Sequence, residues 1–595
     1  MVAGVAALQP GEEIVQPGID GKSGAPKTCT VILGLGTVPA AVFRFLAIAL
    51  LTGAPTLAGA QVIPPSEQPG RERERFQEPR PPLVRPEAPV ISLPSTVAPP
   101  GAEKVRIVIR RVQIVGSTVY RPEDFRPLYA DLIGRQVPLT AVYDLARRIT
   151  AKYGADGYVL SRAIVPPQQF DPKGATVRIE VIEGYINKVI WPRQIARYRN
   201  FFDDYAARIT AERPVNIRTI ERYLLLASDL PGLKFTTTLQ PSETEQGAST
   251  LLVEVTEKPL EAFGRLDNRG TKARGPIQFL ASATLNNVWG QHEAISLGYA
   301  GVSPLRELQY IAPSFRQVLT SEGLTAFVNG TYSWGFPGTP TLQLLQFYAQ
   351  STVAEGGLSY PVIRSRERNL IVSGLVFMSD NASDILGAPF NRDRLRGFRL
   401  KGDADLADQW QGINQLNITF SQGIEGLGST QNGNPLASRA AGRVDFSKIE
   451  GTASRTQPLL ERFSAYLAAY GQYGFTSLLV SEQCSYGGRF FGRAFDPSAL
   501  LADRCIELVG ELRYDLPQPA GSPLSQAQLY GFTDKGWLYT IMPAVGTPQR
   551  VEAASAGGGL RLGWLQYGNA DLTVAKGVEG PRHDWRFFFA VTVRN

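Results

Sequence analysis

Between Lys104 and Lys258 the apolar positions switch back and forth between a period of two and a period near 3.6, and after Pro259 only the period of two remains. VRIVIRRVQIVG alternates apolar and polar residues and stops at Gly116, which predicts a half-buried strand. RPEDFRPLYADLIG and LTAVYDLARRITAKYGADGY take helical spacing, the second with Val142, Leu145, Ala146 and Ile149 along one stripe. VLSRAIVPPQQF and ATVRIEVIEG return to alternation, so residues 104–186 predict one β-α-α-β-β module. Residues 187–258 repeat that order, with INKVIWP as a strand, Ile195–Ile209 and Ile217–Ser228 as helices, and PGLKFTTTLQP and STLLVEVTEK as strands. Two copies of one α+β unit in series predict an array.

Residues 259–595 predict strands separated by Gly, Asn, Asp and Pro clusters. NQLNITFSQG sets Leu416, Ile418 and Phe420 against Asn417, Thr419 and Ser421. The final WRFFFAVTVRN puts Trp585, Phe587, Phe589, Val591 and Val593 on one face and Arg586, Phe588, Ala590, Thr592 and Arg594 on the other. A strand apolar on one side and mixed on the other suits a transmembrane barrel, where lipid meets one face and a polar lumen the other. At about 20 residues per strand and connection, the segment supplies about 16 antiparallel strands. A soluble sandwich or propeller fits the alternation equally well, but not the leader described next together with a terminal aromatic strand.

The N-terminal VPAAVFRFLAIALLTGAPTLAGA carries Arg44, an apolar run over Phe45–Leu51 and the small-x-small pattern Ala58-Gly59-Ala60. It predicts a signal region over residues 1–60, cleaved between Ala60 and Gln61, with translation starting at Val38; a cytoplasmic extension ahead of a membrane anchor is the alternative reading. The apolar run falls short of the roughly 20 residues that span a bilayer, and any membrane crossing must then be made by strands. Residues 61–103 are proline-rich and read as a linker, with one short polar helix over Pro69–Gln77.

Composition agrees with a β-rich protein that keeps one face out of water: charged residues are 19%, aromatics 10%, and glycines number 59 in 595 residues. A net charge of +7 without a run of like charges predicts no nucleic-acid partner. No G-x-S-x-G, H-E-x-x-H or P-loop occurs, so no enzyme activity and no cofactor are expected. Asp203 and Asp204 read as surface residues, and His292 and His583 as loop residues.

The chain resembles the outer-membrane transporters of two-partner secretion, relatives of the haemolysin and filamentous-haemagglutinin secretion proteins. The resemblance covers residues 61–595. It rests on YGADGYVLSRAIVPPQQF, VIEGYINKV, ERYLLLASDLPGLKFTTTLQP, GRLDNRGTKARGP, FGRAF and GFTDKG in that order. It implies two polypeptide-transport-associated (POTRA) modules in the periplasm, over 104–186 and 187–258, and a sixteen-stranded barrel over 259–595 in the bacterial outer membrane. The implied partners are a secreted exoprotein, bound unfolded by the POTRA modules and exported without nucleotide hydrolysis, outer-membrane lipids, and the barrel assembly machinery for insertion. A barrel-assembly factor, or a surface adhesin or diffusion porin, are the alternative readings; two modules are few for the first and needless for the second.

The family's extracellular loop folds back into the barrel and sets an arginine against an aspartate of the wall. Here the resemblance assigns the loop motif to Gly492, Arg493, Ala494 and Phe495, with Gly492 and Ala494 in place of the family's valine and glycine. It assigns the wall motif to Gly531, Phe532, Asp534 and Gly536, and pairs Arg493 with Asp534. Parity places Asp534 with Gln526, Gln528, Tyr530 and Phe532 on the polar face of its strand. Cys484 and Cys505, the only cysteines after Ala60, bracket this loop. In an exported chain they are expected to form a disulfide, with two free thiols or a metal pair as alternatives. With only two histidines in the chain, a metal site is disfavoured.

Overall fold

The computed structural model describes residues 63–84, 97–171, 174–242, 244–519, 521–564 and 567–595. The leader reading, with Val38, Ala60 and Gln61, falls outside them. After a 3-10 turn, Pro65–Glu67, comes a helix shorter than the expected Pro69–Gln77, α1 (Glu72–Phe76).

The first module comprises β1 (Arg106–Val115), α2 (Pro122–Tyr129), β2 (Gln136–Pro138), α3 (Thr140–Ala155), β3 (Arg162–Ile164) and β4 (Ala175–Ile182). Its sheet runs β2-β1-β4-β3, with β1 parallel to β4. Ile107 and Ile109 of β1 and Val177 and Ile179 of β4 face the helices and meet Phe125 and the stripe Val142, Leu145, Ala146 and Ile149, all buried. Strand β2 departs from the β-α-α-β-β reading. Its three residues pair only Arg106↔Pro138, Ile107↔Val137 and Val108↔Gln136, too short a run for a periodicity to show.

The second module comprises β5 (Tyr185–Ile190), α4 (Phe202–Ala211), α5 (Ile217–Ser228), β6 (Leu233–Pro241) and β7 (Ala248–Glu257), in the sheet order β5-β7-β6. The helix expected over Ile195–Ile209 is divided into a 3-10 turn, Arg193–Arg197, and α4. Asn200 sets the break: its Oδ1 accepts the N–H of Phe202 at 3.0 Å and of Asp203 at 3.3 Å, ahead of a new first turn. Asp203 and Asp204 are exposed in that turn.

The rest of the chain is a closed barrel of sixteen strands. In order these are β8 (Leu260–Asp267), β9 (Gln278–Asn286), β10 (Glu293–Val302), β11 (Gln309–Val318), β12 (Thr325–Gly335), β13 (Tyr348–Arg364), β14 (Arg368–Ile385), β15 (Ala388–Ala407), β16 (Ile413–Gly423), β17 (Ser447–Leu460) and β18 (Phe463–Gly474). After a lumenal hairpin, β19 (Cys484–Tyr486) and β20 (Leu500–Ala502), the wall resumes with β21 (Arg504–Asp515), β22 (Leu524–Tyr539), β23 (Arg550–Trp564), β24 (Gly568–Glu579) and β25 (Trp585–Arg594). Neighbours are antiparallel, and β25 closes on β8 from Ala590↔Asp267 to Arg594↔Phe263. Closure leaves no free edge, so every wall strand has a partner on both sides.

Alternation sets the two faces. Leu416 and Ile418 of β16 are exposed outward while Thr419 and Ser421 are buried inward. On β21, Ile506, Leu508 and Leu512 point out while Glu507, Val509 and Glu511 point in. Among the described residues no helix is long and apolar enough to cross a membrane.

The second module seats on the barrel's near rim. Arg364, ending β13, forks onto Asp229 at 2.6 and 2.8 Å, and Glu322 accepts from Arg222 at 3.0 Å and Tyr223 at 3.1 Å. His292 is a loop residue, in the turn before β10, and is fully buried there. It lies among Tyr198, Phe201 and Phe202 and donates from Nε2 to the Arg199 carbonyl at 2.6 Å. Burial pushes its imidazole below the ordinary range. His583 is an exposed loop residue.

Candidate functional site

The connection from β18 to β21 turns into the lumen. It enters through a 3-10 turn, Val480–Glu482, and is stiffened by the β19–β20 hairpin, where Cys484 faces Ala502 and Tyr486 faces Leu500. Glu482 is pinned to the wall by Lys448 of β17 at 2.9 Å and Arg399 of β15 at 2.7 Å. Cys484 is joined to Cys505 of β21, with Cα atoms 6.5 Å apart. Beyond the hairpin the tip reverses at Gly492, which has φ 67°; a Cβ there would lie 2.7 Å from the Gly487 nitrogen and 2.8 Å from the Tyr486 ring.

The tip's polar groups meet the inner wall, but not in the pairing the motif implies. Asp534 of β22 accepts the backbone N–H of Arg493 at 3.2 Å through Oδ2. Its Oδ1 accepts the Tyr486 hydroxyl at 2.5 Å and the Ser555 hydroxyl at 2.7 Å. The Arg493 guanidinium passes over the Phe532 ring, 4.4 Å from its centroid, and binds Glu511 of β21 at 2.6 Å. The register explains the exchange: Val509 faces Asp534 and Glu511 faces Phe532, so Glu511 lies one inward row nearer the modules. The length of the arginine side chain carries its charge past the aspartate to that row. Glu511 also binds Arg561 at 2.6 Å and Arg513 at 2.6 Å, so three guanidinium groups share one buried carboxylate.

The remaining motif residues separate by parity. Phe495 is buried against Tyr486, with centroids 5.6 Å apart, and Ala494 donates to Ser555 and accepts from Arg586 at 3.1 Å. Gly536 leaves room for the Tyr486 ring, which a Cβ would approach to 2.5 Å. Gly531, assigned to the wall motif, faces outward and touches nothing in the loop, because its position alternates with Phe532 and Asp534.

A second segment shares the lumen. Residues 63–84 run along the barrel's inside through α1, held by charge. Arg274, between β8 and β9, binds Glu67 at 2.8 Å and Glu72 at 2.7 Å, with all three buried. Arg73 forks onto Glu355 of β13 at 2.9 and 3.1 Å, and Arg80 binds Asp405 of β15 at 3.0 Å. The loop contacts this segment directly: Arg71 donates to the carbonyls of Val480 and Gln483, and Ser485 and Ser498 donate to Glu74. Phe76 adds an apolar anchor, buried with Leu280, Ala300, Val302 and Leu308 and 5.2 Å from the Tyr310 ring.

Comparison with known proteins decides the family. Residues 107–184 match the POTRA domain, ShlB-type, and residues 346–562 match the haemolysin secretion/activation protein family ShlB/FhaC/HecB. The outer membrane transporter CdiB of Dickeya dadantii is 23% identical over 478 residues, 77% of this chain and 81% of that one. The heme/hemopexin transporter protein HuxB of Haemophilus influenzae is 21% identical over 495 residues, 80% of this chain and 84% of the other. The solved structure of CdiB from Escherichia coli superposes with a TM-score of 0.63 at 18% identity, covering 88% of this chain and 96% of that one. CdiB from Acinetobacter baumannii gives a TM-score of 0.54 at 14% identity, over 93% and 97% of the two chains. The chain is a two-partner-secretion outer-membrane transporter. Transporters of this family secrete partner exoproteins.

In the transporter the barrel lies in the outer membrane and the POTRA modules in the periplasm. The rim carrying His292, Glu322 and Arg364 is therefore periplasmic, and the loop comes from the extracellular side. The Cys484–Cys505 bridge ties the loop's inbound arm to wall strand β21. Non-reducing peptide mapping of membrane-inserted transporter should return the two cysteines in one linked fragment. Closing a span of 21 residues restrains the loop by about 3 kcal/mol relative to an open chain. Alkylation of both thiols in folded material would overturn the pairing.

Proposed function

We propose that this transporter takes an unfolded exoprotein from the periplasm on its POTRA modules and passes it through the lumen once residues 63–84 and the 475–503 loop make room. The observation that supports this reading is the character of the packing. Two segments fill the lumen, each seated partly on small apolar clusters, at Ile63 and Phe76 for residues 63–84 and at Leu478, Leu479, Tyr486 and Phe495 for the loop, and otherwise held by hydrogen bonds and ion pairs. The polar contacts exchange for water or for a passing polar chain at small net cost, whereas a hydrophobic core does not. Edge strands β5 and β6 of the second module offer unpaired backbone groups to an extended chain. Folding of the cargo outside makes the passage directional, and no step calls for nucleotide hydrolysis or a cofactor. Lipids contact the outward apolar belt, and the barrel assembly machinery inserts the protein.

The test is removal of residues 104–257. The strand ladder closes without them, so the shortened chain should reach the outer membrane and show heat-modifiable migration while exporting no exoprotein. Export at the wild-type level would place cargo recognition outside the modules.

A further inference from the structure

Basic charge is concentrated in one place. Residues 104–182 carry 13 Lys and Arg against 7 Asp and Glu, a net +6 in a chain whose total is +7. Residues 183–258 carry 10 of each sign. Within the first module the charge is divided again. On the helical side Arg147 pairs with Asp144, Arg148 with Asp131 and Lys152 with Asp156, while Arg121 and Arg126 form no ion pair among the described residues. On the sheet side, Arg106, Arg110, Arg111, Arg162 and Arg178 form no ion pair among the described residues.

The strand registers bring these arginines together. Ile107, Ile109, Val177 and Ile179 are spent on the core, so their alternates face away from the helices. Arg111 lies opposite Thr176 and Gln113 opposite Arg178, which sets Arg111 and Arg178 on a diagonal of neighbouring strands. The bulge between Ile109 and Arg111 puts Arg110 beside them. Arg162 continues the face on β3, and Arg106 on β1. Half-buried Val108, Val115 and Ile164 lie between the charges, and Glu180 is the one carboxylate on the face.

We propose that this open sheet face of the first POTRA module is a docking surface for an acidic, extended polypeptide segment, presented by the unfolded exoprotein. The inference rests on the POTRA reading of cargo binding and adds the chemistry of what is bound. Unpaired guanidinium groups on a rigid sheet are pre-organised for carboxylates, two bonds at a time, and the apolar residues between them accept the intervening side chains. A like-signed field also gathers acidic chain before contact, in a way that salt suppresses. A polypeptide is favoured over a lipid surface because the seats on the membrane rim, at Asp229, Arg222, Tyr223 and Arg199, belong to the second module.

The experiment uses full-length transporter in detergent and three probes: a labelled oligo-glutamate peptide, a neutral Ser/Thr-rich peptide of equal length, and phosphatidylglycerol vesicles. The sheet variant is Arg106→Gln/Arg111→Gln/Arg178→Gln. The helix variant, Arg147→Gln/Arg148→Gln/Lys152→Gln, removes the same charge from the other side. The sheet variant should weaken oligo-glutamate binding about tenfold and flatten its salt dependence, while the helix variant changes it less than about twofold. Equal losses in both variants, or none in either, would overturn the proposal, as would vesicle binding that falls in the sheet variant while peptide binding does not. Wild-type binding of the neutral peptide but not of oligo-glutamate would defeat this inference alone. Failure to bind either peptide would count against the POTRA reading itself.

Discussion

Glu511→Ala is expected to unseat the lumenal loop more severely than any substitution in the loop's own motif. Glu511 is fully buried and holds Arg493, Arg513 and Arg561 together. Removing it takes from Arg493 and Arg513 the carboxylate each binds and leaves Arg561 only Asp571, with the three guanidinium groups close together in a restricted lumen, a loss of about 3–5 kcal/mol. Arg493→Ala costs less, about 1–3 kcal/mol, because Glu511 keeps two partners. In a double-mutant cycle on the closed-to-open equilibrium, read from single-channel open fractions, Arg493 and Glu511 should couple by about 1–3 kcal/mol. Arg493 and Asp534 should be additive to within about 0.5 kcal/mol, because the backbone N–H that Asp534 accepts survives in Arg493→Ala. Exoprotein in the medium, at matched transporter levels, should fall with the same ranking. Strong coupling to Asp534 with none to Glu511 would restore the pairing that the motif implies.

Glu511 was within reach of the sequence. In CIELVGELRYD the outward series Ile506, Leu508 and Leu512 is apolar, and the series between them carries Glu507 and Glu511. Two carboxylates on the inward parity of a lipid-facing strand call for lumenal cations, and the loop supplies one. The resemblance drew attention to Asp534 instead, because a motif records which residues approach one another, not which atom of each makes the bond. Helix α5 and the stripe Val142, Leu145, Ala146 and Ile149 were legible because an apolar face packed within its own module leaves its full period in the chain. Strand β2 was not, since three residues cannot display a period.

The lumenal segment shows why the remainder stayed hidden. Residues 63–84 read as linker because they hold few large apolar residues. Yet Glu67, Arg71, Glu72 and Arg75 are buried. Their burial is balanced by partners far off in sequence, Arg71 by carbonyls at 480 and 483 and Glu72 by Arg274. Hydrophobic patterning reports burial in oil-like surroundings; in a polar lumen the same burial is achieved by charge pairing, which leaves no periodic trace. For the same reason the segment can be held closed and still be displaced.

Arg274→Ala should therefore open the pore. It strips the close counter-ion from Glu67 and Glu72, leaving Glu67 the longer Arg75 contact at 3.8 Å and the Ser66 and Thr271 hydroxyls, and Glu72 the Gly70 N–H, and two buried carboxylates so weakened in pairing cost about 3–5 kcal/mol. The other holds remain, Arg73 on Glu355, Arg80 on Asp405 and the apolar clusters around Ile63 and Phe76, so the loss shifts the segment's equilibrium toward release rather than abolishing its seat. The segment should leave its seat more often while the strand ladder, which Arg274 does not join, stays closed. Higher resting conductance, entry of bulky antibiotics and protease cleavage within 63–84 are the expected signs, with unchanged heat-modifiable migration. Arg274→Lys should recover only part of the seal, because one ammonium cannot fork onto two carboxylates as a guanidinium does. Adding Glu72→Gln to Arg274→Ala should lower the conductance again by removing one of the stranded charges. Arg443→Ala, which breaks the exposed pair with Asp445, should leave conductance unchanged and so separates loss of this seat from loss of charge in general. A wild-type conductance in Arg274→Ala, or no recovery on neutralising Glu72, would show that the segment is held by something other than this buried triad.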